Sequence, residues 1–320
     1  MALTPDSRVR LNDGHTMPVL GLGTYTPDED QKRKAEDSVK LALDVGYRLF
    51  DDASFHDNEV AIGRAIRAKI ADVKREDVFY TSKVWLTDQS PERVRPSLEK
   101  SLRDLQLDYV DLLLIHNPME LKPGEDRFPT AENGKLIYHN TDLWDIWKIP
   151  TDQNFSNVVQ GLSNNMVSLK GLSGEKMMAE ALCSPMLCEC HIYLNQSKML
   201  EFCRSHDIAL VAYAVLGSSR DVRWIEPNSP YVLQDPVLIE IATKYGRTPA
   251  QVAIRHLLQR GIVVLAKSFT ASRIQDNFQV FGFQLSDEDM EALNLLDRNM
   301  RYITGLVWPD HPKNPFLDEY

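Results

Sequence analysis

Cysteine is scarce in this sequence. Cys183, Cys188, Cys190 and Cys203 are the four in 320 residues. That is too few for a disulfide scaffold, so free thiols in a reducing compartment, and a cytoplasmic location, are the expectation. No apolar run reaches the roughly 18 residues that a membrane helix needs. The opening MALTPDSRVR lacks the apolar core of a secretory leader, so none is expected. Positive charge is in deficit: 36 Lys and Arg against 46 Asp and Glu leave a formal net charge of -10. General nucleic-acid binding is therefore not expected, and an anionic ligand must meet a local basic cluster. No Pro/Gly/Ser-rich linker and no internal repeat interrupts the chain, which reads as a single domain over residues 1–320.

What is present is a globular balance, 43% hydrophobic and 26% charged. Residues 8–11 and 17–20 flank Asn12-Asp13-Gly14 and read as a small hairpin. A strand–helix rhythm follows. Strands are expected at 47–50, 78–84, 109–115, 208–213 and 262–266, and helices at 58–70, 91–105, 199–205 and 248–259. Short, nearly continuous apolar strands between helices indicate a parallel sheet buried on both faces. At this length the pattern fits an eight-stranded (β/α) barrel, an α/β fold. Residues 148–188 break the rhythm. Phe155 is their only aromatic residue, and they read as a long surface loop with a helical period only at 175–182.

Barrel chemistry sits where strands end. Asp51 and His56 follow the second strand, Lys83 lies at the end of the third, and His116 follows the fourth. A Lys beside an Asp orients or tunes a neighbouring proton donor. A second His can polarise a carbonyl oxygen, so the set forms an oxyanion site that also delivers a proton. Lys267 and Arg273 supply the basic cluster that an acidic chain needs for a phosphate.

The stretches LNDGHTMPVLGLGTY, GYRLFDDA, KREDVFYTSKVW, LDYVDLLLIHNPM, ECHIYLNQSKMLEFC, LVAYAVLGSSRD, QRGIVVLAKSF and NMRY carry a resemblance. The chain resembles the aldo-keto reductases, in particular the mammalian hydroxysteroid dehydrogenase-like subfamily. The resemblance implies a (β/α)8 TIM barrel with an N-terminal β-hairpin plug and a long C-terminal loop. It implies NADP(H) as cofactor and a carbonyl or alcohol as substrate, with no metal, no membrane and a monomer. Asp51, Lys83 and His116 would belong to the catalytic tetrad. Gly23, Thr24, Tyr25 and Asp51 would line the cofactor, and Tyr213 would stack on its nicotinamide. Ser163 and Asn164 would hold the carboxamide, and Leu216 and Ser218 the pyrophosphate. Lys267, Ser268, Phe269 and Arg273 would surround the 2′-phosphate, with Asn277 near the adenine. Tyr25, Phe55, Trp85, His116 and Trp224 would line an apolar substrate pocket. Tyr302 and Trp308 would lie on the C-terminal loop that sets substrate choice. Cys190 and His191 match a motif that binds no metal.

Two features depart from the pattern. The motif's fourth catalytic member is a Tyr that protonates the alkoxide, and His56 stands there. Imidazole donates protons and titrates nearer neutrality than a phenol, but its donor lies closer to the backbone. A Gln that would also hold the carboxamide is replaced by Leu187. Two readings follow: a carbonyl reductase using His56 as its acid, or an NADP(H)- or lipophile-binding relative with impaired turnover.

Overall fold

The computed structural model describes residues 3–12, 14–140, 146, 162–164 (backbone), 185–218, 225–226, 228–304 and 310–311, and the statements below concern these residues. Gly14, at φ 94°, turns the chain between β1 (Arg8–Arg10) and β2 (Thr16–Pro18), which pair antiparallel. This hairpin carries Leu11 and Met17, both buried, against the base of the sheet that follows. The first strand of that sheet is β3 (Leu20–Gly23), not the hairpin's second strand. Gly21 and Gly23 thus lie inside a strand. A Cβ on Gly21 would stand 2.5 Å from Cγ of Leu49, so the close strand approach there requires glycine.

Seven more strands complete the sheet: β4 (Leu49–Asp51), β5 (Phe79–Val84), β6 (Leu112–Ile115), β7 (Leu162–Asn164), β8 (Met186–Glu189), β9 (Leu210–Tyr213) and β10 (Val263–Leu265). All eight pair parallel in the order β7-β6-β5-β4-β3-β10-β9-β8, and the end strands β7 and β8 contact each other. This is the expected (β/α)8 barrel with its hairpin plug. Side chains alternate across it. Leu49, Leu112, Leu114, Leu187, Val211, Val263 and Leu265 fill the inside with Leu11 and Met17. Phe50, Leu113, Ile115, Cys188, Ala212 and Val264 face the helices. Burying each large apolar side chain contributes about 1.5–3 kcal/mol.

The expected helices form as α3 (Glu59–Lys69), α4 (Pro91–Leu105), α5 (Ser197–Ser205) and α7 (Pro249–Gln259). They stand with α1 (Glu29–Arg33), α2 (Ala35–Val45), α6 (Pro236–Tyr245), α8 (Ala271–Phe278) and α9 (Asp287–Asn294). Proline in the first turn starts α4, α6 and α7, where a missing N–H costs nothing. The strand expected at 109–115 begins only at Leu112. The Asp111 carboxylate accepts from the Tyr80 amide at 2.9 Å and from Arg75 at 2.7 Å, which fixes the chain before the ladder starts.

The reading of 148–188 as one surface loop needs correction at two places. Leu162–Asn164 pairs with Leu113–Ile115, and Met186–Glu189 pairs with Leu210–Tyr213, so both segments are barrel staves. The helical period at 175–182 lies outside the described residues. No helix among the described residues is long and apolar enough to cross a membrane.

Candidate active site

Strand β4 ends in two carboxylates. Lys83, from β5 and 3% exposed, donates from Nζ to Asp51 Oδ2 at 2.7 Å and to the Asp52 carbonyl at 2.8 Å. Asp52 is fully buried and collects three donors. Tyr80 Oη reaches its Oδ2 at 2.8 Å, while Thr24 Oγ1 (2.6 Å) and His56 Nδ1 (2.8 Å) reach its Oδ1. His56 rides on a short 3-10 turn, Ser54–His56. Asp57, at φ 58°, closes that turn and pairs with Arg127 at 2.6 Å. Ser54 Oγ ties the same turn to the Lys83 carbonyl at 3.1 Å. The ring of His116 meets that of His56 at 5.9 Å and that of Trp85 at 5.3 Å, both near-perpendicular.

Charges set the roles. Burial pushes the Asp52 carboxyl up, but the His56, Thr24 and Tyr80 hydrogen bonds outweigh it and hold Asp52 below the usual carboxylate range. Burial first, then the Asp52 charge, pushes Tyr80 well above the usual phenol value, so Tyr80 remains a donor. Burial of its ring, and then the neighbouring Lys83 and His56, drive His116 well below the usual imidazole value. His116 is therefore a neutral imidazole at physiological pH.

Glu59 on α3 receives the Ser82 hydroxyl at 3.0 Å, and burial and the Asp52 charge push it up to about 7. A carboxyl whose folded value is raised favours the fold only while protonated. Its contribution declines as pH rises from the ordinary Glu value to about 7, by roughly 3 kcal/mol in all. Glu59→Gln should therefore stabilise the protein near pH 8 and change little near pH 4.5, as urea denaturation at the two pH values will show.

Of the aromatic residues expected to line a pocket, Tyr25, Phe55 and Trp85 lie close together. Phe55 stacks on Trp85 at 3.9 Å, Tyr25 lies 6.4 Å from Phe55, and Phe128 packs edge-on against Phe55 and Trp85. Trp85 is 5% exposed, with Nε1 donating to the Arg127 carbonyl at 3.0 Å, so most of its ring is covered by its neighbours. Trp224 and Trp308 lie outside the described residues.

On the other side of the mouth, Gly23 stands beside Lys267, whose Cβ would be 3.6 Å from a Cβ there. Ser268 Oγ accepts the Thr270 N–H at 3.1 Å where α8 begins. Arg273 is exposed on the first turn of α8, and Asn277 is buried one turn on. Lys267 lies 5.8 Å over the Phe269 ring. Burial and then the Arg273 charge push the Lys267 ammonium down, so two cations share this corner. Tyr213 ends β9, and Leu216, Gly217 and Ser218 follow in a turn with Gly217 at φ 83°.

Residues 19–152 and 161–298 match the profile described as the aldo/keto reductase family. The chain belongs to that family. It is 53% identical to estradiol 17 beta-dehydrogenase 5 of Mus musculus over 98% of both chains. It is 52% identical to aldo-keto reductase family 1 member C3 of Homo sapiens, and 52% to dihydrodiol dehydrogenase 3 of Bos taurus, again over 98% of both chains in each case.

In this aldo/keto reductase, Asp51, His56, Lys83 and His116 converge at the mouth of the barrel. Ser163 and Asn164 sit at the end of β7, in register with Leu114 and Ile115, one strand from His116. Leu187 lies opposite Val211 in the apolar inner layer and offers no polar group there. The Thr24 hydroxyl is committed to Asp52 and the Asp51 carbonyl. Tyr302 is 1% exposed. Its amide and that of Ile303 donate to Glu189 at 2.6 and 3.0 Å, so Tyr302 anchors the C-terminal loop. Asp52, Tyr80, Arg127 and Phe128 escaped the sequence reading. The Asp-x-x-x-His spacing of Asp52 and His56 at a strand end was the available signal for the first.

Proposed function

We propose that this chain reduces ketones or aldehydes of lipophilic, steroid-like molecules with NADPH, and oxidises the matching alcohols. The convergence of Lys83, His56 and His116 beneath an aromatic wall supports this reading most. The names of the relatives, estradiol 17 beta- and dihydrodiol dehydrogenases, point to the same substrate class. The basic corner at Lys267 and Arg273, beside the N-terminus of α8, suits a 2′-phosphate. Gly23, Tyr213, Leu216 and Ser218 would hold the rest of the cofactor, with Phe269 and Asn277 at its adenosine end. When bound, that cofactor supplies a hydride to the carbonyl carbon. His116, neutral, hydrogen-bonds the carbonyl oxygen. His56 gives that oxygen its proton. Lys83, held by Asp51, places positive charge where negative charge develops. Phe55, Trp85 and Phe128 keep water from the reacting oxygen.

Arg273→Ala should weaken NADPH binding by about 10- to 100-fold, the cost of one charge-assisted bidentate contact, and leave NADH nearly unchanged. A fluorescence titration of each cofactor measures this, and equal losses overturn the phosphate assignment. NADPH consumption with an aromatic ketone then tests turnover. Leu187, apolar where a carboxamide partner is expected, favours the second reading, a binding protein with impaired catalysis. Tight NADPH binding without consumption would establish that reading instead.

A further inference from the structure

We infer that Asp52 is a positioning residue for His56: the two form a carboxylate–imidazole dyad that keeps a proton on Nδ1 and moves the reaction's proton at Nε2. The inference rests on the reading of His56 as the acid. A phenol acid needs no partner at its inner end. An imidazole does, because either of its nitrogens can carry the proton and the ring can turn.

The surroundings of Asp52 settle both. Its carboxylate is fully buried, and both oxygens are engaged: Oδ2 by Tyr80, Oδ1 by Thr24 and His56. Three donors on two oxygens leave the carboxylate one orientation. As an ionised group it only accepts, so the atom 2.8 Å away, His56 Nδ1, must be N–H. Nε2 is then the nitrogen left for substrate. The backbone is fixed from the far side, since Arg127 grips Asp57 at 2.6 Å and Ser54 Oγ holds the Lys83 carbonyl. Asp51 is not the partner, because Lys83 occupies its Oδ2 at 2.7 Å.

The proton balance follows. In reduction, the imidazolium breaks its Nε2–H bond and an O–H bond forms on the former carbonyl oxygen. The carbonyl carbon would take its hydride from the cofactor, when bound. A neutral ring remains, still donating Nδ1–H to Asp52, and solvent restores the Nε2 proton. In oxidation the neutral Nε2 takes the alcohol proton as hydride leaves carbon. Asp52 stays ionised in both directions.

The test is Asp52→Asn, made in the parent chain and in His56→Tyr. Asparagine keeps the shape but removes the charge, and with its one acceptor oxygen on Tyr80 its amide N–H2 faces Thr24 and His56 Nδ1, which disfavours a proton on Nδ1. In the parent, kcat for ketone reduction should fall at least about tenfold with NADPH affinity unchanged. In His56→Tyr the same change should not lower kcat, because the residue that Asp52 serves is gone. Equal losses in both backgrounds would make Asp52 merely structural and overturn the dyad. A second readout does not need activity: ring ¹⁵N shifts of histidine-labelled protein, with His56 assigned by its disappearance in His56→Tyr. A ring that keeps its Nδ1 proton, both as the imidazolium and in the neutral form reached as pH rises, and loses that neutral form in Asp52→Asn, supports the dyad. A ring protonated on Nε2 alone overturns it. If the Nδ1–H form is present but the parent reduces no ketone, the dyad stands and the reductase reading fails.

Discussion

Replacing Lys83 with methionine is expected to destabilise the protein by about 3–5 kcal/mol and to abolish reduction. The side chain is 3% exposed, and its ammonium is held by Asp51 at 2.7 Å and by the Asp52 carbonyl at 2.8 Å. Methionine fills the stem but leaves the Asp51 carboxylate in a nearly dry site without that counter-charge. Against a typical total stability of about 5–15 kcal/mol, such a loss is visible in any urea denaturation curve. The charge itself is what the fold tolerates only as a pair. Lys83→Met combined with Asp51→Leu should therefore recover most of the stability, since an apolar pair of similar volume replaces a buried ion pair at little cost. Activity should not return, because the positive charge beside the proton donor is gone. If the single variant unfolds at the parent's urea concentration, the pair contributes nothing to the fold.

The contrast between Asp51 and Asp52 shows what a sequence conveys. Asp51, Lys83 and His116 were legible because each stands at the end of an apolar run that can only be a buried strand. Asp52 was not, although it touches more of the site than any of them. Next to Asp51 it reads as a second strand cap, and its partners Tyr80 and Thr24 come from neighbouring strands whose register only the folded barrel sets. The staves at Leu162–Asn164 and Met186–Glu189 were missed for a related reason. They are 3 and 4 residues long. Such short strands have no period to detect and are held by pairing with β6 and β9. The hairpin is legible in the sequence, but its second strand runs almost directly into the first stave, Leu20–Gly23. Only the inward packing of Met17 and the close approach at Gly21 separate plug from barrel. Tyr302 is expected on the C-terminal loop, and the buried Glu189 at the end of β8, which accepts its amide, ties that loop to the barrel.

His56→Tyr is expected to raise ketone reduction above the parent, and the full gain should need Asp52→Asn as well. Asp51, Lys83 and His116 stand where they would work with a phenol, which reaches further from the backbone than an imidazole. The Lys83 charge favours the phenolate and so makes the phenol a better acid. The structure adds a cost. His56 is one of three donors to a fully buried Asp52. A phenol at this position carries its hydroxyl past Asp52 and leaves that carboxylate with Tyr80 and Thr24 only. An under-satisfied buried anion next to the new acid weakens its proton donation and strains the turn. Asp52→Asn removes the charge and keeps an acceptor for Tyr80, while its amide N–H2 donates to Thr24, whose hydroxyl still donates to the Asp51 carbonyl. The double variant should thus exceed His56→Tyr and recover part of the roughly 10²–10⁴-fold that a positioned acid supplies. The gain should lie in kcat, because proton donation matters most in the transition state. Steady-state reduction of an aromatic ketone or quinone at saturating NADPH measures it. A double variant that binds NADPH yet gains nothing would mean that the phenol is not the missing element. Adding Leu187→Gln then decides between the remaining causes. A gain on that addition means the nicotinamide was misplaced for want of a polar partner in the apolar inner layer. No gain means that His56, fixed by Asp52, already donates its proton as well as a phenol can.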